Sequence, residues 1–192
     1  MTRFWWVRHG PTHEKAFTGW RDVPADLSDR AALERLDQYL PQSAVLLSSD
    51  LVRASATADL LSRGRQRLPD NLALREFNFG DWDGRHFSDV AKTHPDLSRA
   101  YWETPGDIAP PHGESWNMAA QRVSQVVDTL LQDHTGRDII IVAHIGVILT
   151  QVQLALGVPP QSAIGHKIDN LSVTNLCHDF TGWRAQVINH IA

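Results

Sequence analysis

Five side chains stand out in this 192-residue sequence by type and by place. His9 and His144 each follow directly on a short apolar run, "FWWV" with Arg8 in between, and "IIIVA". Arg53 lies a few residues beyond a third apolar run, "AVLLS", and Glu76 follows a short apolar stretch in "ALREFNFGDWDG". An imidazole can attack or exchange a proton near neutral pH. A guanidinium stays charged and grips phosphate or carboxylate with two parallel hydrogen bonds. A carboxyl group can move a proton. Singly, each also has an ordinary place on a solvated surface, with Glu76 paired to Arg75 or Arg85. Jointly they describe two imidazoles, two fixed cations and one acid, all near the ends of apolar segments.

The elements that must position them alternate. Residues 3–8, 44–48 and 138–143 are predicted strands, and a further short strand is expected near 72–75. Helices are predicted over 28–40, 51–63, 114–133 and 145–156. In the third of these, Val123, Val126, Val127, Leu130 and Leu131 form one apolar face at the helical period. Segments "SVTNLCHDF" and "WRAQVINH" read as a closing strand pair. Strands that are apolar throughout, separated by amphipathic helices, predict a mostly parallel sheet covered on both faces, a three-layer α/β/α sandwich. Ligands bind such sheets outside the carboxyl ends of the strands. That is where Arg8, His9 and His144 stand. No repeat or linker divides the chain, so one domain over 1–192 is expected. The stretch "ETPGDIAPPHGES", 103–115, reads as a surface excursion rather than a boundary.

Taken together, "VRHG", "SSDLVRASATADLL", "LREFNFGDWDG", "HGES" and "IIIVAHIGVI" resemble, in order and spacing, the motifs of the histidine phosphatase superfamily, the phosphoglycerate-mutase-like group. The late "NLSVTNL" extends the likeness over nearly the whole chain. The resemblance implies the phosphoglycerate-mutase-like fold and a set of roles. His9 is the nucleophile that takes the phosphoryl group. Arg8, Arg53 and His144 hold the phosphate, with Gly10 and Thr18 beside it. Glu76 gives the leaving group its proton, Asp81 being a weaker candidate. Gly10 is expected to let the backbone approach the phosphate closely. A carboxyl beside Phe77 and Phe79 can be tuned by desolvation to act as the acid.

The sequence also departs from the group. An Asn usual a few residues after Arg-His-Gly is replaced by "PTHEKAFTGW", where Thr12, Lys15 or Thr18 could serve. Ile145 stands where a small residue is common and should narrow the pocket, with Gly146 next. The segment 77–113 holds only Arg85, Lys92 and Arg99 as fixed cations, which favours a hydrolase over a mutase that handles a bisphosphate. The pattern looks most like the branch that includes α-ribazole phosphatase. An aromatic substrate could stack on Trp20, Trp82, Trp102 or Trp116. Phosphoglycerate mutase and an inactive phosphate-ester binding module are the rival readings.

Composition narrows the partners. Net charge is −4 and gives no basic bias towards nucleic acid. The cluster Arg63, Arg65, Arg67 reads as a solvated helix end. No apolar run approaches the length of a membrane span, and no secretory leader is expected from Phe4–Val7. A single cysteine, Cys177, rules out an internal disulfide and suits a cytoplasmic setting. Ten histidines raise the question of a metal, but Asp83, His86, Asp89, His94 and His112 are scattered across loop-like sequence. No cofactor is expected. The expected partner is a small phosphorylated metabolite, bound by a monomer or homodimer; whether His13 or His112 touches it is open.

Overall fold

Strand β1, Thr2–Arg8, sits near the middle of a six-stranded sheet in a computed structural model that covers all 192 residues. Its other strands are β2 (Val45–Ser48), β3 (Gln66–Arg67), β4 (Asp138–Ala143), β5 (Val173–Asp179) and β6 (Gly182–His190), in the order β3-β2-β4-β1-β5-β6. The first four strands in that order run parallel, and β5 and β6 close the sheet as the antiparallel pair expected. Successive side chains of β4 show why its sequence does not alternate. Ile139 and Ile141 face one core with Phe4 and Trp6; Ile140 and Val142 face the other with Val7 and Leu46. Both faces are covered, so both must be apolar.

The covering helices are α1 (Arg30–Tyr39) and α2 (Val52–Leu60) on one face, and on the other α5 (Trp116–Asp133) and α6 (Ile145–Leu156). Leu36, Leu40, Ala54 and Ala58 fill the first interface, and Val123, Val127, Val147 and Ile148 the second. Ser115 caps α5, its hydroxyl accepting from the Met118 amide. A short α7 (Pro160–Ala163) follows α6. No helix is long and apolar enough to cross a membrane.

Three expectations are corrected. Residues 72–74 are a 3₁₀ turn capped by Asn71, not a strand; the edge strand is Gln66–Arg67 instead. Two helices went unforeseen in the region read as loop: α3 (Phe87–Thr93), too short to show a clear period, and α4 (Pro95–Glu103), whose nine residues are amphipathic and begin with a proline. Arg65 is not solvated: its side chain is fully buried, bonded to Asp37 and to the carbonyls of Pro41 and Leu40. Those acceptors belong to the end of α1 and the turn after it, a tertiary arrangement that local sequence does not announce. The excursion 103–115 is irregular from Thr104 onward, as expected.

Candidate active site

Register brings the chemistry together. β1 and β4 are parallel neighbours with Arg8 opposite Ala143, so the next residues, His9 and His144, fall side by side. Their rings lie 5.0 Å apart, nearly edge to face. β2, on the other flank of β4, ends at Ser48 and leads into α2, whose second residue is Arg53.

The His9 Nδ1–H donates to the Gly10 carbonyl at 2.6 Å. A carbonyl can only accept, so the proton is on Nδ1 and the Nε2 lone pair is free. The imidazole is held neutral, its pKa pulled down to about 3, by burial first and then by the charges of Arg53 and Arg8, against the Gly10 hydrogen bond. Asn170 holds the backbone beneath it, donating to the His9 carbonyl at 2.8 Å.

His144 shows the opposite tautomer. Arg53 Nε donates to its Nδ1 at 3.2 Å, so the proton is on Nε2, and that buried N–H has no partner in the protein. Full burial, then the neighbouring His9 and arginine charges, keep this ring neutral as well. Arg53 also donates to the Gly19 and Arg21 carbonyls at 2.6 and 2.9 Å. Asp22 caps the same helix, accepting from the Val52 amide at 2.7 Å. The 19–22 loop is thus tied to α2 by both ends of one contact. Two of the five guanidinium N–H groups of Arg53 stay free for an anion. Arg8 donates to the Ile168 carbonyl at 2.6 Å, and its buried Nε–H is unpartnered.

Glu76 is buried, not paired on a surface. Arg75 bonds Asp50 instead, and Arg85 bonds Thr93. The Glu76 carboxyl accepts from the Phe77 amide at 2.9 Å and from the Gly146 amide, in the first turn of α6, at 3.1 Å. Burial raises its pKa; the two amides and the charges of Arg53 and Arg8 oppose that without winning. The carboxyl is held at a helix start with its protonated form favoured relative to a free carboxyl. Gly146 makes this possible, since a Cβ there would lie 2.5 Å from Glu76 Oε1. A second knot fixes the backbone. Arg122 donates to the carbonyls of Glu76 and Ala73, at 2.9 and 2.8 Å, and pairs with Glu114 at 2.7 Å. Trp20 Nε1 donates to the same Glu76 carbonyl at 2.8 Å.

Arg8, His9, Arg53 and Glu76 line one cavity of about 250 Å³, with Thr12, Thr18 and Ile145 in its walls. Thr18 is present, but its hydroxyl donates to the Ala16 carbonyl at 3.1 Å. Lys15 is not among the lining residues. The structure gives Gly10 a packing reason of its own. Its amide donates to Thr57 Oγ1 at 3.1 Å, and a Cβ would strike Leu27 at 2.6 Å, so the glycine admits the 25–27 segment. Asp81 is not brought to the cavity; it is half-exposed beside the exposed His112, 3.1 Å away. His13 pairs with Asp26 on the surface. Among the tryptophans, Trp82 is fully buried, Trp20 supports Glu76, and Trp102 stands at the cavity wall. No three His, Cys, Asp or Glu side chains gather as a metal site. Gly146, Asn170 and Arg122 were not singled out for these contacts; only the position of Gly146 just after His144 offered a signal.

Comparison with known proteins agrees with this geometry. Adenosylcobalamin/alpha-ribazole phosphatase of Salmonella typhimurium is 30% identical over 190 residues, covering 93% of this chain and 92% of that protein. The solved structure of Bacillus stearothermophilus YhfR superposes with a TM-score of 0.89 at 26% identity, over 100% of both chains. A mycobacterial glucosyl-3-phosphoglycerate phosphatase gives 0.84 at 28% identity, over 99% of each. Two of these relatives are named as phosphatases, and this chain is an enzyme of their class, a phosphoric monoester hydrolase. Residues 4–191 match the family described as histidine phosphatase superfamily (branch 1), and the chain belongs to that family.

Proposed function

We propose that the protein hydrolyses the phosphate monoester of a small metabolite through a phosphohistidine on His9, with no metal ion. One observation carries this reading. The unprotonated Nε2 of a neutral imidazole shares one cavity with two arginines and a buried carboxyl whose pKa burial raises. Arg8, Arg53 and the His144 Nε2–H supply the donors for three phosphate oxygens. Nε2 of His9 attacks phosphorus, a P–N bond forms and the P–O bond to the alcohol breaks. Glu76 gives its proton to the departing oxygen. The resulting carboxylate then takes a proton from water as that water attacks phosphorus, the P–N bond breaks, and phosphate leaves.

Hydrolysis rather than mutation of a bound phosphoglycerate is supported by the cavity mouth, where Glu14 stands and no lysine lines the wall. α-Ribazole phosphate is the first physiological substrate to test, because the Salmonella relative is named for it and an aromatic wall adjoins the site. The test is release of phosphate from 4-nitrophenyl phosphate in excess EDTA. Wild type is expected to turn over and His9→Ala to lose about 10³-fold or more. Activity that EDTA abolishes and a divalent cation restores contradicts the mechanism.

A further inference from the structure

Arg8 and His9 are held by a segment that no step of the mechanism uses. Residues 168–172, the turn leading into β5, make four hydrogen bonds to these two residues. The Arg8 amide donates to the Ser172 carbonyl at 3.2 Å, and the Leu171 amide donates to the Arg8 carbonyl at 2.9 Å. Arg8 Nη1 donates to the Ile168 carbonyl at 2.6 Å, and Asn170 holds the His9 carbonyl. A guanidinium carries its donors in a rigid planar fork. By taking Nη1, the Ile168 carbonyl therefore sets the direction of the N–H groups left for an anion. Leu171 stands at φ +60°, left-handed backbone that a bulky side chain adopts only where its surroundings impose it.

The turn is tied to the last strand. Asn189 in β6 accepts from the Asp169 amide at 2.6 Å and donates to the Asp169 carboxylate at 3.0 Å. Its side-chain amide thus meets a donor and an acceptor of one residue and fits in one orientation only. A bulge re-aims Asn189. Between the pairs Val173–His190 and Asn175–Val187, β6 has one residue more than β5, and Asn189 itself lies at φ +60°. Asp169 also meets Lys167 at 2.9 Å. The Asn189 hydrogen bond first, then Lys167, hold its carboxyl below the usual range. Burial lowers the Arg8 pKa, and the charges of Glu76 and then Asp169 oppose it, so Asp169 stands within electrostatic reach of the guanidinium.

From this run of contacts, Asn189 to Asp169, and the neighbouring Ile168 carbonyl to Arg8 Nη1, we infer that Asn189 is a positioning residue that aims the Arg8 guanidinium at the phosphate. The inference rests on the phosphatase reading above, in which Arg8 holds phosphate, and adds the element that directs it. The plain alternative is that Asn189 merely suits a left-handed bulge. Glycine suits that conformation at least as well, so one substitution separates the two.

The test is Asn189→Gly, which keeps the bulge and deletes the clamp. With 4-nitrophenyl phosphate, kcat/KM is expected to fall about tenfold, and the inhibition constant of inorganic phosphate to rise about fivefold. The Asp169–Asn189 pair is partly exposed, so the thermal midpoint is expected to move by less than about 4 °C. A double-variant cycle with Arg8→Ala separates a misaimed Arg8 from general loosening. If Asn189 acts through Arg8, Asn189→Gly lowers kcat/KM by less than about twofold once Arg8→Ala is present. Wild-type kinetics for Asn189→Gly, or the same loss with and without Arg8, overturns the inference and leaves the phosphatase reading standing. Should Asn189→Gly not fold, Asp169→Ala in the same cycle decides by the same two outcomes. No turnover by wild type overturns both.

Discussion

The two sides of the active cavity are built differently. The floor, Arg8, His9 and His144 with Arg53 in the first turn of α2, grows directly from the carboxyl ends of β1, β4 and β2. His9, His144 and Arg53 are buried and Arg8 half-buried, and register alone places the imidazoles. The wall beyond Glu76 comes from irregular chain, short helices and the start of α6, and it is aromatic. Nearer the imidazoles, Phe79, Phe87 and Trp102 each pack on Phe17 with ring centroids 4.3 to 6.1 Å apart, Phe87 and Trp102 being half-exposed. A rigid sheet edge suits chemistry that every substrate shares. A loop-borne wall can vary with the alcohol without disturbing the strands.

Changes in the floor and in the wall should therefore fail differently. The largest effect is expected from Arg53→Ala. It removes phosphate donors and frees the 19–22 loop, so kcat/KM should fall about 10³-fold whatever the leaving group. A loss confined to some esters would erase the distinction between floor and wall.

Glu76→Gln sits on the boundary and should divide substrates by leaving-group acidity. For an alkyl ester the loss should be about 10²–10⁴-fold. For 4-nitrophenyl phosphate the first step needs no acid, so steady-state kinetics should show a burst of nitrophenol followed by slow water attack. The same variant should be the more stable protein. The folded pKa of Glu76 lies above its unfolded value of 4.5, so wild type bears the cost of that shift as pH rises past 4.5, and the amide does not. Thermal midpoints measured at pH 4 and pH 7 should diverge in that sense.

Arg122→Met tests whether the wall is held or merely present. Arg122 does not itself line the cavity but holds the Glu76 backbone. A drop of about tenfold in kcat on alkyl esters, with little change on 4-nitrophenyl phosphate, marks a misplaced acid. Equal losses on both mark general loosening.

The smallest expected effect concerns the floor's neutral imidazoles. His9 binds a proton in the unfolded chain near pH 6.5 but not in the folded protein until about pH 3. The unfolded state thus holds the extra proton between these values, and stability should fall as pH falls through that window. The limiting slope is about 1.4 kcal/mol per pH unit for this group. Urea midpoints for His9→Gln should show a shallower slope than wild type.

The same contrast explains what was legible in the sequence. The floor could be read because continuous apolar runs announce buried strands and Arg-His-Gly interrupts one of them. The closing hairpin, the cores of α1, α2, α5 and α6, and the joint meeting of His9, His144, Arg8, Arg53 and Glu76 followed. The wall could not be read. The seven residues of α3 show little period, the amphipathic pattern of α4 is confined to nine residues in a stretch rich in polar residues, and a 3₁₀ turn at Leu72–Leu74 looks like a strand in its composition. Nor does local sequence reveal partners distant along the chain, such as Arg122 for the Glu76 carbonyl, Asn170 for that of His9, or α1 for Arg65. The close approach of Leu27 to Gly10 likewise could not be read from local sequence.

The account's central claim is that His9 Nε2 becomes bonded to phosphorus. The most direct measurement is rapid quench of Glu76→Gln with 4-nitrophenyl phosphate, followed by peptide mapping under alkaline conditions that preserve phosphohistidine. One phosphoryl group on the peptide containing His9, absent from the double variant with His9→Ala, is the expected result. Turnover with no covalent phosphate, or with phosphate on another residue, contradicts it.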